Sequence, residues 1–107
     1  MSDKFLTLRE RIIKILLDAK EPLSVGEIAS LLGLNPREKR LVYDALNHIA
    51  KTIRRKTHHK LQLVMVPPIC RNCGYVFKDL DKPRKPSKCP RCKSERILEP
   101  RFKIIER

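Results

Sequence analysis

Four cysteines, Cys70, Cys73, Cys89 and Cys92, form two C-x2-C pairs with fifteen residues between them, and the chain has no other cysteine. This spacing limits the fold more than any other feature. Each pair sets two thiolates on one tight turn. Two such turns facing each other make a tetrahedral S4 cage of the kind that holds a structural zinc. Gly74 follows the first pair and accepts positive φ, while Pro90 inside the second pair pre-sets φ for a turn. The plain alternative is two disulfides. No secretory signal accompanies the cysteines, which argues against it. A redox C-x-x-C needs one pair in a thioredoxin-like surround, which is missing.

A chain of 107 residues makes one small domain, or two very small ones sharing a core. Few large apolar residues surround the cysteines, so metal binding takes the place of burial there. An S4 cage suits zinc or a single iron. The knuckles resemble those of rubredoxins, whose pattern has Gly after both pairs. Here Lys93 stands where the second Gly would be, and the surroundings are basic. Both departures favour one structural Zn2+ over Fe. No apolar run approaches the ~20 residues of a membrane span, and no cleavable targeting segment precedes Phe5. The expectation is a cytoplasmic protein without a membrane partner.

The net charge is +13, unevenly spread. Residues 1–35 hold five basic and five acidic side chains, residues 36–60 eight and two, and residues 61–107 twelve and five. An excess confined to the last two-thirds reads as a polyanion-binding face. Scarce Asn and Gln (Asn35, Asn47, Asn72, Gln62) beside many Lys, Arg and Glu point to a thermophile. A surface tuned for heat alone balances its signs, and this one does not. A membrane surface is disfavoured because no segment joins a strong apolar face to the charge.

The first half reads as three helices. Leu8, Ile12, Ile15, Leu16 and Ala19 follow helical spacing within residues 5–19, with Thr7 and Glu10 as a capping pair. Ser24-Val-Gly-Glu27 opens a second helix, Val25 to Leu32, with Ile28, Leu31 and Leu32 expected inside and Gly33 ending it. Asn35, Pro36 and Glu38 start a third helix running to about Ile53. Ala29 and Gly33 lie four apart, as in many helix-turn-helix units.

On the third helix, Val42, Ala45, Leu46, Ile49 and Ile53 share one face. Arg37, Arg40, Asp44, Asn47, His48, Lys51, Arg54 and Arg55 lie opposite, with Tyr43 on the rim. This is the composition of a recognition helix: Arg and Asn read guanine and adenine edges, and Lys and Arg hold phosphates. The candidate nucleic-acid contacts are therefore Arg37, Arg40, Tyr43, Asn47, Lys51, Arg54, Arg55 and Lys56. The bland alternative is a solvated face laced with ion pairs such as Arg40–Asp44. Arg54, Arg55 and Lys56 also complement the helix dipole.

Leu61, Leu63 and Met65 alternate with Gln62, Val64 and Val66 as in a strand, stopped by Pro67-Pro68. Phe102 and Ile104 give the C-terminal residues strand character too. If the two pair antiparallel, a three-helix unit is followed by a β-hairpin, the plan of a winged helix. The expected fold is thus α+β: a winged helix over residues 1–66, completed by a strand in 100–107, with a zinc ribbon, residues 67–99, inserted in the wing. Tyr75-Val76-Phe77 and Glu95-Arg96-Ile97-Leu98 are short strand candidates behind the knuckles. Between them Lys82-Pro-Arg84-Lys85-Pro-Ser-Lys88 stays extended and adds Arg84 and Lys85 as backbone contacts. His58 and His59 read as solvated or phosphate-contacting, not as ligands. There is no Gly-rich phosphate loop, paired carboxylate cleft or Ser/His/Asp set, and Asp79 and Asp81 have no base partner. No enzyme and no small-molecule substrate are expected.

Three helices, a strand, then Cys70-Arg-Asn-Cys73-Gly74-Tyr75 and Cys89-Pro90-Arg-Cys92 resemble a family of archaeal predicted transcriptional regulators. These combine a winged helix-turn-helix with a rubredoxin-like zinc ribbon. The resemblance implies zinc at the four cysteines and a role on double-stranded DNA. The first expectation is a DNA-binding transcriptional regulator. A zinc-ribbon module binding RNA or a polymerase or ribosomal assembly is the second, and a rubredoxin-like electron-transfer protein the third. Winged-helix regulators are often dimers, so a homodimer stays open, although no heptad or apolar patch marks one.

Overall fold

A computed structural model describes residues 6–80 and 82–107. Asp81, noted above as lacking a base partner, lies outside the described residues. All three expected capping pairs form. Helix α1 (Leu8–Asp18) is capped by Thr7, whose hydroxyl accepts from the Glu10 amide at 3.2 Å while the Glu10 carboxylate accepts from the Thr7 amide at 3.0 Å. That bond from the Thr7 backbone holds the Glu10 carboxyl below its ordinary value. A two-residue strand β1 (Leu23–Ser24) leads into α2 (Val25–Leu32), capped in the same way by Ser24 and Glu27. Gly33 closes α2 in the left-handed region at φ +75°, which a residue with a Cβ adopts only at a cost.

The third helix differs at both ends from the expectation. Asn35 and Glu38 cap a short 3-10 turn (Pro36–Glu38), and the α-helical part, α3, runs Lys39–Lys56. The break lies at Glu38, whose φ of −93° and ψ of 3° leave the α region. The far end gains a turn because Arg54, Arg55 and Lys56 face the negative pole of the dipole. His58 and His59, both at positive φ, then reverse the chain.

Three strands finish this unit. β2 (Leu61–Val66) pairs antiparallel with β5 (Arg101–Glu106) in a six-residue register from Leu61↔Glu106 to Val66↔Arg101. β1 pairs with the other side of β5, giving the sheet order β1-β5-β2. The expected inward side of β5 is correct: Phe102 and Ile104 are buried with Ile12, Leu16, Ile28, Val42, Leu46 and Ile49 in one core. Leu31 is a correction. It is 63% exposed, and Val25 and Ala29 fill the face of α2 assigned to it. Residue 31 lies three beyond Ile28, but α2 is too short for its helical stripe to fix which side the rest of the core covers.

The remaining residues leave the sheet after β2 and return before β5. β3 (Ile69–Cys70) pairs with β4 (Ile97–Leu98), and Val76 adds one bridge to Ile69. Of the two expected ribbon strands, 75–77 is reduced to that bridge and 95–98 shortens to its last two residues. The amides and carbonyls that longer strands would pair are turned instead into the knuckles. Among the described residues, no helix is long and apolar enough to cross a membrane.

Candidate functional site

The two C-x2-C pairs fold alike because the same backbone bonds close them. The Gly74 amide donates to the Cys70 carbonyl and the Lys93 amide to the Cys89 carbonyl, each at 2.9 Å. The Cys70 and Cys89 amides in turn donate to Tyr75 and Ser94 carbonyls at 2.8 and 2.9 Å. Each turn needs one residue in the left-handed region. Gly74 supplies it at φ +81° and Lys93 at φ +65°. Lysine is strained there and glycine is not. Lys93→Gly is therefore expected to stabilise the ribbon by about 1 kcal/mol, and Gly74→Ala to destabilise it by a similar amount. Nothing lies within 4 Å of a Cβ added at Gly74, so that cost is backbone alone. Chelator concentration at half-loss of metal, measured for both variants, checks the opposite signs.

The four sulfurs lie within 4.8 Å of one another. Cys70–Cys92 and Cys73–Cys89 Sγ separations are both 3.6 Å. A metal about 2.3 Å from each thiolate requires edges of about 3.8 Å in a tetrahedron, so the donor set suits one zinc. Hydrogen bonds favour the thiolate at Cys92 and Cys89, whereas at Cys73 the Tyr75 backbone bond is outweighed by burial and the neighbouring cysteines, which push that thiol up to about 12. The Asn72 side-chain amide donates to Cys92 Sγ at 3.5 Å. That bond, helped by the Ser94 backbone, holds the Cys92 thiol down to about 6. Burial works against the Cys89 thiolate, yet the Cys92 and Arg91 amides donate to its sulfur at 3.5 and 3.3 Å and carry its pKa below the ordinary value. Among the described residues these cysteines are the only cluster of metal-ligating side chains. His58 and His59 are not part of it.

The cationic residues divide into those brought together and those spread along the helix. Arg37, Arg40, Lys51, Arg54, Arg55 and Lys56 are all exposed on α3 and its leading turn, and Arg84 and Lys85 are exposed on the ribbon. Arg40 and Asp44 form no ion pair. Lys51, Arg84 and Lys85 meet around one cleft between α3 and the ribbon, joined by Lys82. Burial, then the charges of Arg9, Lys56 and Lys51, lower the pKa of His48, so the positive field continues along α3.

Two expected nucleic-acid readers are engaged inside the chain. Asn47 Nδ2 donates to the Tyr43 carbonyl at 3.0 Å and to the Pro83 carbonyl at 3.1 Å. It clips the ribbon onto α3 instead of presenting a free amide. Tyr43 packs against the helical core, and its hydroxyl is buried without a hydrogen-bond partner. Burial, then the nearby Glu99 charge, pushes its pKa up to about 12. Pro83 is buried under the same loop, and a half-buried Lys39–Glu99 pair at 3.5 Å joins the two parts a second time. Lys82 was read only as part of the extended basic loop, and Asn72 and Pro83 were not singled out from the sequence. Of those two, only Asn72 carried a local signal, its position between the two cysteines of a knuckle.

Comparison with known proteins agrees with this geometry. The family model described as "PF0610-like, N-terminal" matches residues 7–61. The model described as "PF0610 rubredoxin-like zinc beta-ribbon domain" matches residues 67–107. The solution NMR structure of protein PF0610 from Pyrococcus furiosus superposes with a TM-score of 0.73 at 38% identity, over 92% of this chain and 89% of that one. No curated protein matches the chain.

Proposed function

Because the chain belongs to the PF0610-like family and carries its rubredoxin-like zinc β-ribbon, we propose that it is a DNA-binding transcriptional regulator built on a winged helix-turn-helix. The element order α1-β1-α2-α3-β2-β5 and the sheet order β1-β5-β2 support the winged-helix reading. In it the ribbon occupies the wing, residues 1–66 with 100–107 form the DNA-binding unit, and residues 67–99 form the ribbon. The observation that carries the function is the convergence of exposed, unpaired cations from α3 and from the ribbon on one side of the molecule. Such a face releases counterions from a phosphate backbone and binds it in a salt-dependent way. Arg37 and Arg40 sit at the start of α3, where major-groove readers meet base edges. The role is binding and not catalysis, and the metal is one structural zinc.

Two substitutions separate the roles. Arg40→Ala is expected to relax base preference while random duplex still binds. Lys85→Ala is expected to weaken binding to all sequences alike and to flatten the log–log salt slope by about one. Binding to a randomised duplex library, repeated at several salt concentrations, reads both. Colourless protein containing zinc after purification without added metal is the expected result for the cage. A visible band with iron would favour electron transfer instead. One observation supports a second reading, an RNA or ribosomal partner: the ribbon loop covers the middle of α3 and narrows what reaches into a groove. Preference for structured RNA over duplex in direct competition would select it.

A further inference from the structure

The cleft between α3 and residues 82–85 has a volume of about 540 Å³. Lys51 reaches it from the helix, and Lys82, Arg84 and Lys85 from the ribbon wall. All four are exposed, and none has an ion-pair partner among the described residues. Asp44 is the one carboxylate among the lining residues, so the charge facing the cleft is strongly positive. The walls are fixed relative to each other by buried Pro83 and by the Asn47 bond to its carbonyl. Like charges held face to face repel, and packing alone gives no reason to gather them.

A second, independent feature lies in the same cleft. Tyr43 lines it, and its hydroxyl is the one buried side-chain polar atom among the described residues with no partner. A buried polar group left single in a native fold marks a missing partner. A tyrosine phenol is protonated at neutral pH, so it has a proton to donate. Four cations and one phenolic donor against the single Asp44 carboxylate match an anion carrying more than one charge and more than two oxygens. A carboxylate would leave most of the cations unused, and a phosphate group would not.

We propose that this cleft is a phosphate site, with Lys51, Lys82, Arg84 and Lys85 neutralising the group and the Tyr43 hydroxyl donating to it. The source to which we assign it is the phosphodiester backbone of nucleic acid, and that assignment rests on the DNA-binding reading above. A consequence follows for Asn47. Its amide nitrogen already serves two carbonyls, so it fixes the cleft wall and reads no base. The centre of α3 then lies along the backbone, leaving base contact to Arg37 and Arg40.

Amide chemical-shift mapping of the zinc-loaded full chain tests this, with inorganic phosphate and a 20-base-pair duplex titrated separately. Both are expected to move the amides of residues 43–51 and of 82, 84 and 85. Lys51→Ala and Tyr43→Phe are each expected to weaken phosphate binding about tenfold. Phosphate shifts that map elsewhere, or none, would overturn the site whatever the duplex does. Phosphate in the cleft with the duplex leaving it unmoved would overturn only the nucleic-acid source. Removing a lone buried hydroxyl also stabilises a fold by itself. A raised Tm in Tyr43→Phe with unchanged phosphate affinity would therefore show that the hydroxyl plays no part in binding.

Discussion

Stripping the metal with a chelator is expected to erase the fold of residues 67–99 and leave α1 to α3 standing. The two halves bury very different material. The helical unit has a core of large apolar side chains, including Ile12, Leu16, Ile28, Leu46, Ile49 and Phe102. The ribbon's buried cluster is Cys70, Cys89 and Ile97, with Tyr75, Phe77 and Cys92 packed against it. Most of that cluster is ligand. Without metal, four thiols in contact replace four metal bonds, and the free energy of structural zinc, of order 10 kcal/mol, is lost. Strand pairing cannot compensate, since β3 and β4 are two residues each. Far-UV circular dichroism should keep its helical signal, while amide dispersion from residues 69–98 collapses. Affinity for duplex should fall as Lys82, Arg84 and Lys85 leave α3. Loss of the whole helical signal would show that the two parts fold as one.

The second large effect is expected from Phe102→Ala, a loss of about 3–5 kcal/mol and a fall in Tm of roughly 15–30 °C. Phe102 has no exposed surface. It stands opposite Leu23 on one side and Met65 on the other, at the centre of the three-stranded sheet. It enters the sequence ten residues after the last cysteine, yet it belongs to the core of the first helices. Its truncation should therefore destabilise α1 to α3 more than the metal cage. Thermal unfolding followed at 222 nm, with chelator resistance measured on the same protein, separates the two. Loss of metal at lower chelator concentration with an unchanged helical Tm would contradict this placement.

The features legible in the sequence are those fixed by near neighbours. Thr7–Glu10, Ser24–Glu27 and Asn35–Glu38 each close a turn within three residues, so the pattern and the hydrogen bonds coincide. Alternation in Leu61–Val66 needed no partner to be read, and the S4 cage follows from spacing alone. What escaped depends on distant contacts. β1 is two residues whose strand character comes only from β5. Asn47 looked like a free recognition residue because its partner, Pro83, lies thirty-six residues away. Tyr43 is half-buried on the rim as the wheel places it, but the Glu99 charge that acts on its hydroxyl comes from later in the chain. A helical wheel shows which residues face away from their own core. It does not show what an inserted module lays across them.

On the proposed reading, α3 and the ribbon form one cationic surface for duplex DNA. Fluorescence anisotropy of a labelled 20-base-pair duplex, titrated with zinc-loaded protein from 50 to 300 mM salt, tests it most directly. With Lys51, Arg54, Lys82, Arg84 and Lys85 each on a phosphate, the log–log slope is expected near −4.5, about −0.9 for each phosphate neutralised. It should fall by about three after chelation, as Lys82, Arg84 and Lys85 leave the surface together. No binding at 50 mM salt, or a slope unchanged after the metal is removed, would contradict the account.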